Sequence, residues 1–458
     1  MSSLNASLAA ALSGLSAEQG ALEATTNNVA NVNTPGYSRQ MPTLVSSDPV
    51  IIDPLTLGTG VTLRSIVSIR DPILESRIQQ ETQIQGQLGA LVSALQQTQV
   101  RFTTGSGDIG SAIANFFNSV NQLSTSPADL SVRQGVLTSA GNLATSFNTV
   151  ANSLTAQRGN LDLSVVQDVG QINQLTQQIA QLNGQISSLE NVGESAGSFV
   201  DQRTQLIDKL SSLVDVSVIP SDHTITVTTT NGIALVAGQK SFQLQTQPDP
   251  SGVQHVFAQG SDITSKIVAG QLGGLLETRD QQIPAIQTQL DTLAAGLANA
   301  VNGVQTAGFD LNGNSTALVN LFNPPPLSGT GAAATLTVAI TDPSLIAASS
   351  DGTAGNNANA EALYALRNQA VVNNQSPTDY YSSIVFGVGN ATAGATAEQE
   401  ASSLVLHQLN DQRASVSGVS LDQEAANMLL YQRAYSASAQ IVSAINSMMQ
   451  TVIDMKTV

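Results

Sequence analysis

His223, His255 and His407 are the three imidazoles available for proton transfer or metal ligation in a chain of 458 residues that contains no cysteine. Histidines that hold a metal from one helix stand three or four residues apart, because only that spacing puts both rings on one face. No two of these do, and they read as solvated or structural side chains. Gly105-Ser106-Gly107-Asp108-Ile109-Gly110 fits the glycine-rich fingerprint that brings a backbone against a dinucleotide pyrophosphate, with Asp129 downstream. Such a loop must follow a β-strand, whereas Leu88, Leu91, Val92 and Leu95 precede it at helical spacing, so a loop between two helices is expected. Asp310, Asn312 and Asn314 imitate the first ligands of a calcium loop, but Ser315 stands where its turn needs glycine and Leu321 where its bidentate carboxylate belongs. A polar turn is expected there. With no phosphate loop, zinc-peptidase helix or nucleophile elbow, the sequence supports no catalytic residue, no cofactor and no metal, and the chain reads as a non-enzyme.

Recognition chemistry is concentrated instead in Asn27-Asn28-Val29-Ala30-Asn31-Val32-Asn33-Thr34-Pro35-Gly36-Tyr37-Ser38-Arg39-Gln40. Asn28, Asn31 and Asn33 suit a helix end, because asparagine tolerates left-handed backbone and its amide can cap. Thr34-Pro35-Gly36-Tyr37 puts proline and glycine at the two central positions of a type II turn. The chain is expected to end a helix, turn sharply and leave extended, with Gly36 as the critical residue of an assembly element.

A helical stripe leads into that turn. Leu8, Leu15, Leu22 and Val29 recur every seven residues, with Leu4, Ala11, Glu18, Thr25 and Val32 interleaved. At the other end Leu421, Met428, Tyr435, Val442 and Met449 repeat likewise, with Tyr431, Ser438, Ile445 and Val452 beside them. Both stripes are narrow and broken by Glu18, Thr25 or Ser438, so neither helix should be stable alone in water. They are expected to pair, with Leu8, Leu15, Leu22, Val29, Met428, Tyr435, Val442 and Met449 as the assembly seam. Further helical spacing runs from Leu161 through Val165, Ile172, Ile179 and Ile186, with Asp168 as a polar lapse, and again through Ile113, Phe116, Phe117, Val120 and Leu123, and through Ile283, Ile286, Leu290, Leu293, Leu297 and Val301. Between residues 216 and 257 the period changes: Ile225 and Val227 alternate with threonines before Asn231-Gly232, a hairpin signature. The fold class is therefore mainly α with a small β insert: paired terminal coiled-coil helices, a helical middle domain and an inserted β domain. Residues 1–65 and 416–458 form the two parts of the terminal helical domain, 66–215 and 270–415 the two parts of the middle domain, and 216–269 the insert, which is expected to be peripheral. A possible strand is read at 332–340, and a break at the Gly- and Ala-rich 387–396.

Composition agrees with long helical surfaces. Only 11% of residues are charged and 3% aromatic, without tryptophan, so a core must come from aliphatic residues rather than large rings. A net charge of −17 disfavours nucleic acid, whose phosphates need clustered Lys and Arg. The uncharged start of the chain lacks the basic flank of a cleaved signal. Residues 434–453 have the length of a membrane span but too many serines and glutamines to be one. No membrane insertion is expected.

The string at 27–40 resembles the N-terminal signature of the bacterial flagellar axial proteins, the rod, hook and hook-associated family. Val416-Ser417-Gly418-Val419-Ser420-Leu421-Asp422-Gln423-Glu424-Ala425-Ala426-Asn427-Met428 with Tyr431-Gln432-Arg433-Ala434-Tyr435 resembles its C-terminal signature. Residues 198–211, 273–280, 308–313 and 342–349 are similar to the hook-associated members rather than to rod or hook proteins, while the insert is short for them. The resemblance implies a structural subunit of the hook–filament junction, self-assembling through terminal helices around a central channel, with the helical body as a middle shell and the β insert outward. It further implies export through the flagellar type III apparatus, an extracellular place in the flagellum, and as partners further copies of itself in a ring or helical array, hook protein, hook-associated protein 3 and a flagellar export chaperone. The alternatives are another axial component such as hook or distal rod protein, a secreted adhesin, which no internal repeat favours, and a secreted enzyme.

Overall fold

The computed structural model describes residues 2–52, 55–102 and 108–456. The chain opens with α1 (Ser2–Ala30) and continues as the short strands β1 (Gln40–Ser46), β2 (Val50–Ile52), β3 (Leu55–Leu57) and β4 (Val61–Ser68). β1 pairs antiparallel with β4, Gln40 opposite Ser68, and β2 with β3. The chain thus leaves the turn extended, and the stretch 40–68 is a ribbon of short strands rather than helix. Thr43, Val45, Val61 and Ile66 are β-branched and half-buried, which suits a ribbon lying on α1, and the tip of the Leu63 side chain packs against α1 at Gly20.

The body is built from long helices. α2 (Pro72–Arg101) starts where Asp71 accepts the Ile73 and Leu74 N–H groups ahead of a first-turn proline. α3 (Ile109–Thr125) and the 61-residue α4 (Leu130–Glu190) are likewise capped by Asp108 and Asp129. Of the glycine-rich string, residues 105–107 lie outside the described residues, and its Asp108 serves as this cap. After α5 (Gly197–Leu213) come β5 (Ser217–Ser221), β6 (Thr224–Thr228), β7 (Ala234–Ala237), β8 (Lys240–Ser241), β9 (Leu244–Pro248), β10 (Gln254–Ala258) and β11 (Ser261–Asp262). They form two antiparallel sheets, β5-β6-β7-β8 and β11-β10-β9. The Asn231-Gly232 turn joins β6 to β7, with Gly232 at φ 81°. Then follow α6 (Gly270–Glu277), one π-helical turn (Thr278–Gln282), α7 (Ile283–Gln305), the short α8 (Ala332–Thr335) and α9 (Ala358–Ala365), α10 (Pro377–Ser417) and α11 (Leu421–Lys456).

Aliphatic side chains of α3, α4, α6 and α7 form the main core, with Phe116 stacked edge-on against Phe117 at 5.3 Å and tilted against Phe322 at 5.9 Å. Two buried arginines cross-link what aromatic bulk does not. Arg133 donates to the carbonyls of Pro127 and Ile346, both at 2.6 Å. Arg279, on the π turn, joins Asp162 of α4 and the Gln254 carbonyl of β10, each at 2.7 Å.

Three expectations are corrected. Residues 332–340 are not a strand: Asp291 accepts the N–H groups of Gly331 and Ala333 and so starts a helical turn, leaving only a bridge between Val338 and Phe322. The helix does not break at 387–396. Ala395 packs with Leu91, Val92 and Leu95 of α2, and this burial outweighs a glycine cost of about 1 kcal/mol per residue. The insert is not peripheral, because Val227, Leu235, Val236, Leu244 and Val256 belong to the same buried cluster as Ile172 and Ile179 of α4. Asn173 and Asn183 of α4 also bond backbone atoms of Leu244, Ile225 and Gly238. Excising residues 216–257 with a short linker is therefore expected to expose α4 and abolish cooperative unfolding of the body, measured by thermal melts and dye binding; a cooperative body without dye uptake would contradict this packing.

Candidate functional site: where the chain ends meet the body

α1 and α11 run antiparallel, with Gly14 at Ser438 and Asn28 bonded to Glu424. Ala11, Ala21, Thr25 and Asn28 of α1 are buried, while Leu8, Leu15, Leu22 and Val29 are half-buried beside that line. On α11 Met428, Val442 and Met449 are half-buried, Ile445 of the neighbouring line is buried, and Tyr435 is 39% exposed. Small side chains thus form the most buried line of α1, which α11 and the β1–β4 ribbon cover together, and the leucines lie half-buried beside it. Burial raises the Glu18 carboxyl above its ordinary range.

Residues 34–37 form a turn closed by the Tyr37 N–H on the Thr34 carbonyl at 3.2 Å, with Gly36 at φ 75°. Asn31 donates to the Asn27 carbonyl and accepts from the Thr34 hydroxyl; Asn33 and Pro35 are exposed. The Pro35 carbonyl accepts from Gln205 of α5 at 2.6 Å. A Cβ on Gly36 would stand 2.5 Å from that amide nitrogen, so the turn is fitted against the body as well as bent.

Beyond the turn, three segments distant in sequence meet. Asn28 is the hub: its Oδ1 accepts from the Tyr37 hydroxyl at 2.9 Å and the Gln40 N–H at 2.8 Å, and its Nδ2 donates to the Gln40 carbonyl and to Glu424. Glu424, 1% exposed, also receives Arg39 Nε at 2.7 Å. The Arg39 N–H donates to the Ser417 carbonyl at 2.9 Å, at the end of α10. One residue earlier, Ser38 donates through its N–H and its hydroxyl to Asp201 of α5, which also receives Arg70 at 2.6 Å. Arg70 further donates to the Gly197 carbonyl. Burial, with Asp201 and Glu424 nearby, pushes the Tyr37 phenol up to about 12, so it remains a neutral donor.

In this arrangement Asn28, Tyr37, Ser38, Arg39, Arg70, Asp201 and Glu424 bond one another and so fix one another's positions. Of the residues named from sequence, Asn28 and Tyr37 enter the network, Gly36 and Pro35 touch α5, and Asn33 joins neither. Arg39, Arg70, Asp201, Gln205 and Glu424 were missed as site residues. Asp201 and Glu424 stood inside the strings at 198–211 and 416–428, but no local pattern marks Arg70. The histidines gather nowhere: His223 pairs with Glu190 and His255 with Asp262, both on the β insert. Asp310 accepts the N–H groups of Asn312 and Asn314, closing a polar turn.

Comparisons with known proteins give these contacts a family. The model described as "Flagellar hook-associated protein FlgK helical domain" matches residues 95–322. The "Flagella basal body rod protein" model matches 8–37 and the "Flagellar basal body rod FlgEFG protein C-terminal" model matches 411–455, the two stretches that form the terminal pair. Flagellar hook-associated protein 1 of Escherichia coli (strain K12) is 28% identical over 97% of this chain and 99% of its own. The structure of the flagellar hook junction protein FlgK from Burkholderia pseudomallei shares the fold at a TM-score of 0.66 and 19% identity, over 75% of this chain and 100% of that one. Flagellar hook-associated protein 1 of Bacillus subtilis (strain 168) is 30% identical over 99% of both chains, and with that end-to-end match the chain belongs to the flagellar hook-associated protein 1 family.

Proposed function

We propose that this chain is the structural subunit of the hook–filament junction and assembles with further copies of itself through α1 and α11. The observation that carries the reading is the apolar face left on α11 after α1 has paired: Leu430 is 62% exposed and Ile441 50%, with Leu429, Met448 and Val452 also open. Exposed apolar stripes of this length mark a surface meant for a partner, and a second terminal pair offers the same chemistry. In the assembly the terminal helices, residues 1–65 and 416–458 with the β1–β4 ribbon, form the inner axial domain. Segments 66–215 and 270–415 form the shell around it, with 216–269 on the outer side. The neighbours along the axis are hook protein and hook-associated protein 3. Before assembly the chain leaves the cell through the flagellar type III apparatus with the help of an export chaperone, and the absence of cysteine removes any risk of crosslinking on that route.

Leu430→Asp and Ile441→Asp test the interface, because both sites are exposed and the charge is solvated until neighbouring pairs close over it. In a strain lacking its own copy, either variant is expected to be secreted at normal level with an unchanged circular dichroism spectrum, while hooks carry no filaments and swimming is lost; normal swimming would contradict the assignment. Gly36→Val tests the turn. Positive φ costs a branched residue about 1–2 kcal/mol, and the displaced Gln205 loses its bond to Pro35. Normal secretion with reduced retention at hook tips is expected, and wild-type retention would leave the turn without a role in assembly.

A further inference from the structure

The last turns of α10 carry a second charged cluster, separate from the Glu424 network. Arg413 of α10 reaches Glu75 of α2 at 2.9 Å and Asp208 of α5 at 3.5 Å. One arginine thus serves two carboxylates on two other helices. Glu75 Oε2 and Asp208 Oδ1 are shut off from solvent and, among the described residues, find no hydrogen-bond partner. The apolar support nearby is thin: Leu74, Ile78 and Leu409, with Leu406 against them. With both carboxylates ionised the cluster carries a surplus negative charge spread over side chains that are mostly, though not fully, withdrawn from water, which burial penalises.

We propose that Glu75, Asp208 and Arg413 form a proton-operated latch on the end of α10: with one carboxyl protonated the cluster is neutral and closed, and with both ionised it loosens α10 from α2 and α5. The other charged groups facing it pull both ways. Arg70 lowers Glu75, and Asp71 and Asp201 raise it; Arg413 and the Gln79 amide lower Asp208, and Glu75 raises it. Burial dominates in each case, so Glu75 stays above the ordinary carboxylate range and Asp208 is pushed up to about 6. A group raised in the folded state contributes stability that is complete below its unfolded value and is lost as pH climbs through the folded one. The latch therefore closes toward acid and opens toward neutral and alkaline pH. It sits four residues before Ser417, whose carbonyl receives the Arg39 N–H, so opening reaches the contact that joins the terminal helices to the body.

Hydrogen exchange of the full chain, resolved to residues 406–417 and corrected for base catalysis, tests this directly. Protection of that segment relative to the middle of α4 is expected to fall by up to about tenfold for each pH unit between roughly 4 and 6, the limit for one linked proton, and to level off above that. Asp208→Asn, which fixes the neutral form, is expected to remove most of that dependence, and Glu75→Gln to do the same. Equal protection at pH about 4 and about 7 in the unaltered chain would overturn the latch, whatever the variants do. An unchanged pH dependence in a folded Asp208→Asn or Glu75→Gln protein would overturn it too. Neither readout involves assembly, so failure here and failure of the junction reading are distinguishable.

Discussion

A carboxylate buried at the foot of α11 can be tolerated only while opposite charge and donors face it, and Glu424 has both in Arg39 and Asn28. Removing one member of such a buried pair costs about 3–5 kcal/mol, because the other is left uncompensated. The requirement falls on three pieces of chain at once. α1 must end where Asn28 can reach back, the turn at 34–37 must deliver Arg39, and α10 must stop at Ser417 so that α11 can start beneath it. Ser38, between these contacts, is held by Asp201 and Arg70 from the body. The junction is thus narrow in sequence but dense in charge-assisted bonds, each worth roughly 1.5–3 kcal/mol.

The terminal pair itself is built differently. Its middle is alanine, glycine, threonine and serine, which bring backbones close but bury little apolar area, and the larger side chains lie at its flanks or face away. Such a pair buries little apolar area of its own, and Leu430, Ile441, Met448 and Val452 of α11 stay exposed. The body has the opposite character, with a continuous aliphatic core tied across α4 by the buried guanidinium groups of Arg133 and Arg279. Buried apolar packing is concentrated in the body and open apolar surface on α11, and the Glu424–Asp201 network ties the two together.

What could be read from the chain alone follows the range of each interaction. The heptad stripes, the Pro35-Gly36 turn and the Asn231-Gly232 hairpin depend on neighbours a few residues away, and each forms where its residues stand. Within the α1 stripe the alanines and Thr25 are buried more fully than the leucines, because small side chains permit the closer approach of both α11 and the ribbon. The β1–β4 ribbon was hidden by its half-buried, mixed composition. Helix continuation through 387–396 and the helical turn after Gly331 were decided by α2 and by Asp291, which no local window contains. Least legible was the charge network: Arg39 and Glu424 are separated by 385 residues, and Arg70 and Asp201 by 131, so no spacing announces either pair.

The central claim is that this network holds the terminal pair to the body as one unit. Because the native chain has no cysteine, spin labels can be introduced at will, and exposed positions Asn27 on α1, Gln202 on α5 and Ala426 on α11 bracket the network. Pulsed electron–electron distance measurements among these three sites are predicted to give narrow distributions in the otherwise unaltered chain, broadening together for the α5 pairs when Asp201→Asn is combined with Glu424→Gln. Broad distributions from Gln202 to both terminal helices in the unaltered chain would contradict the account.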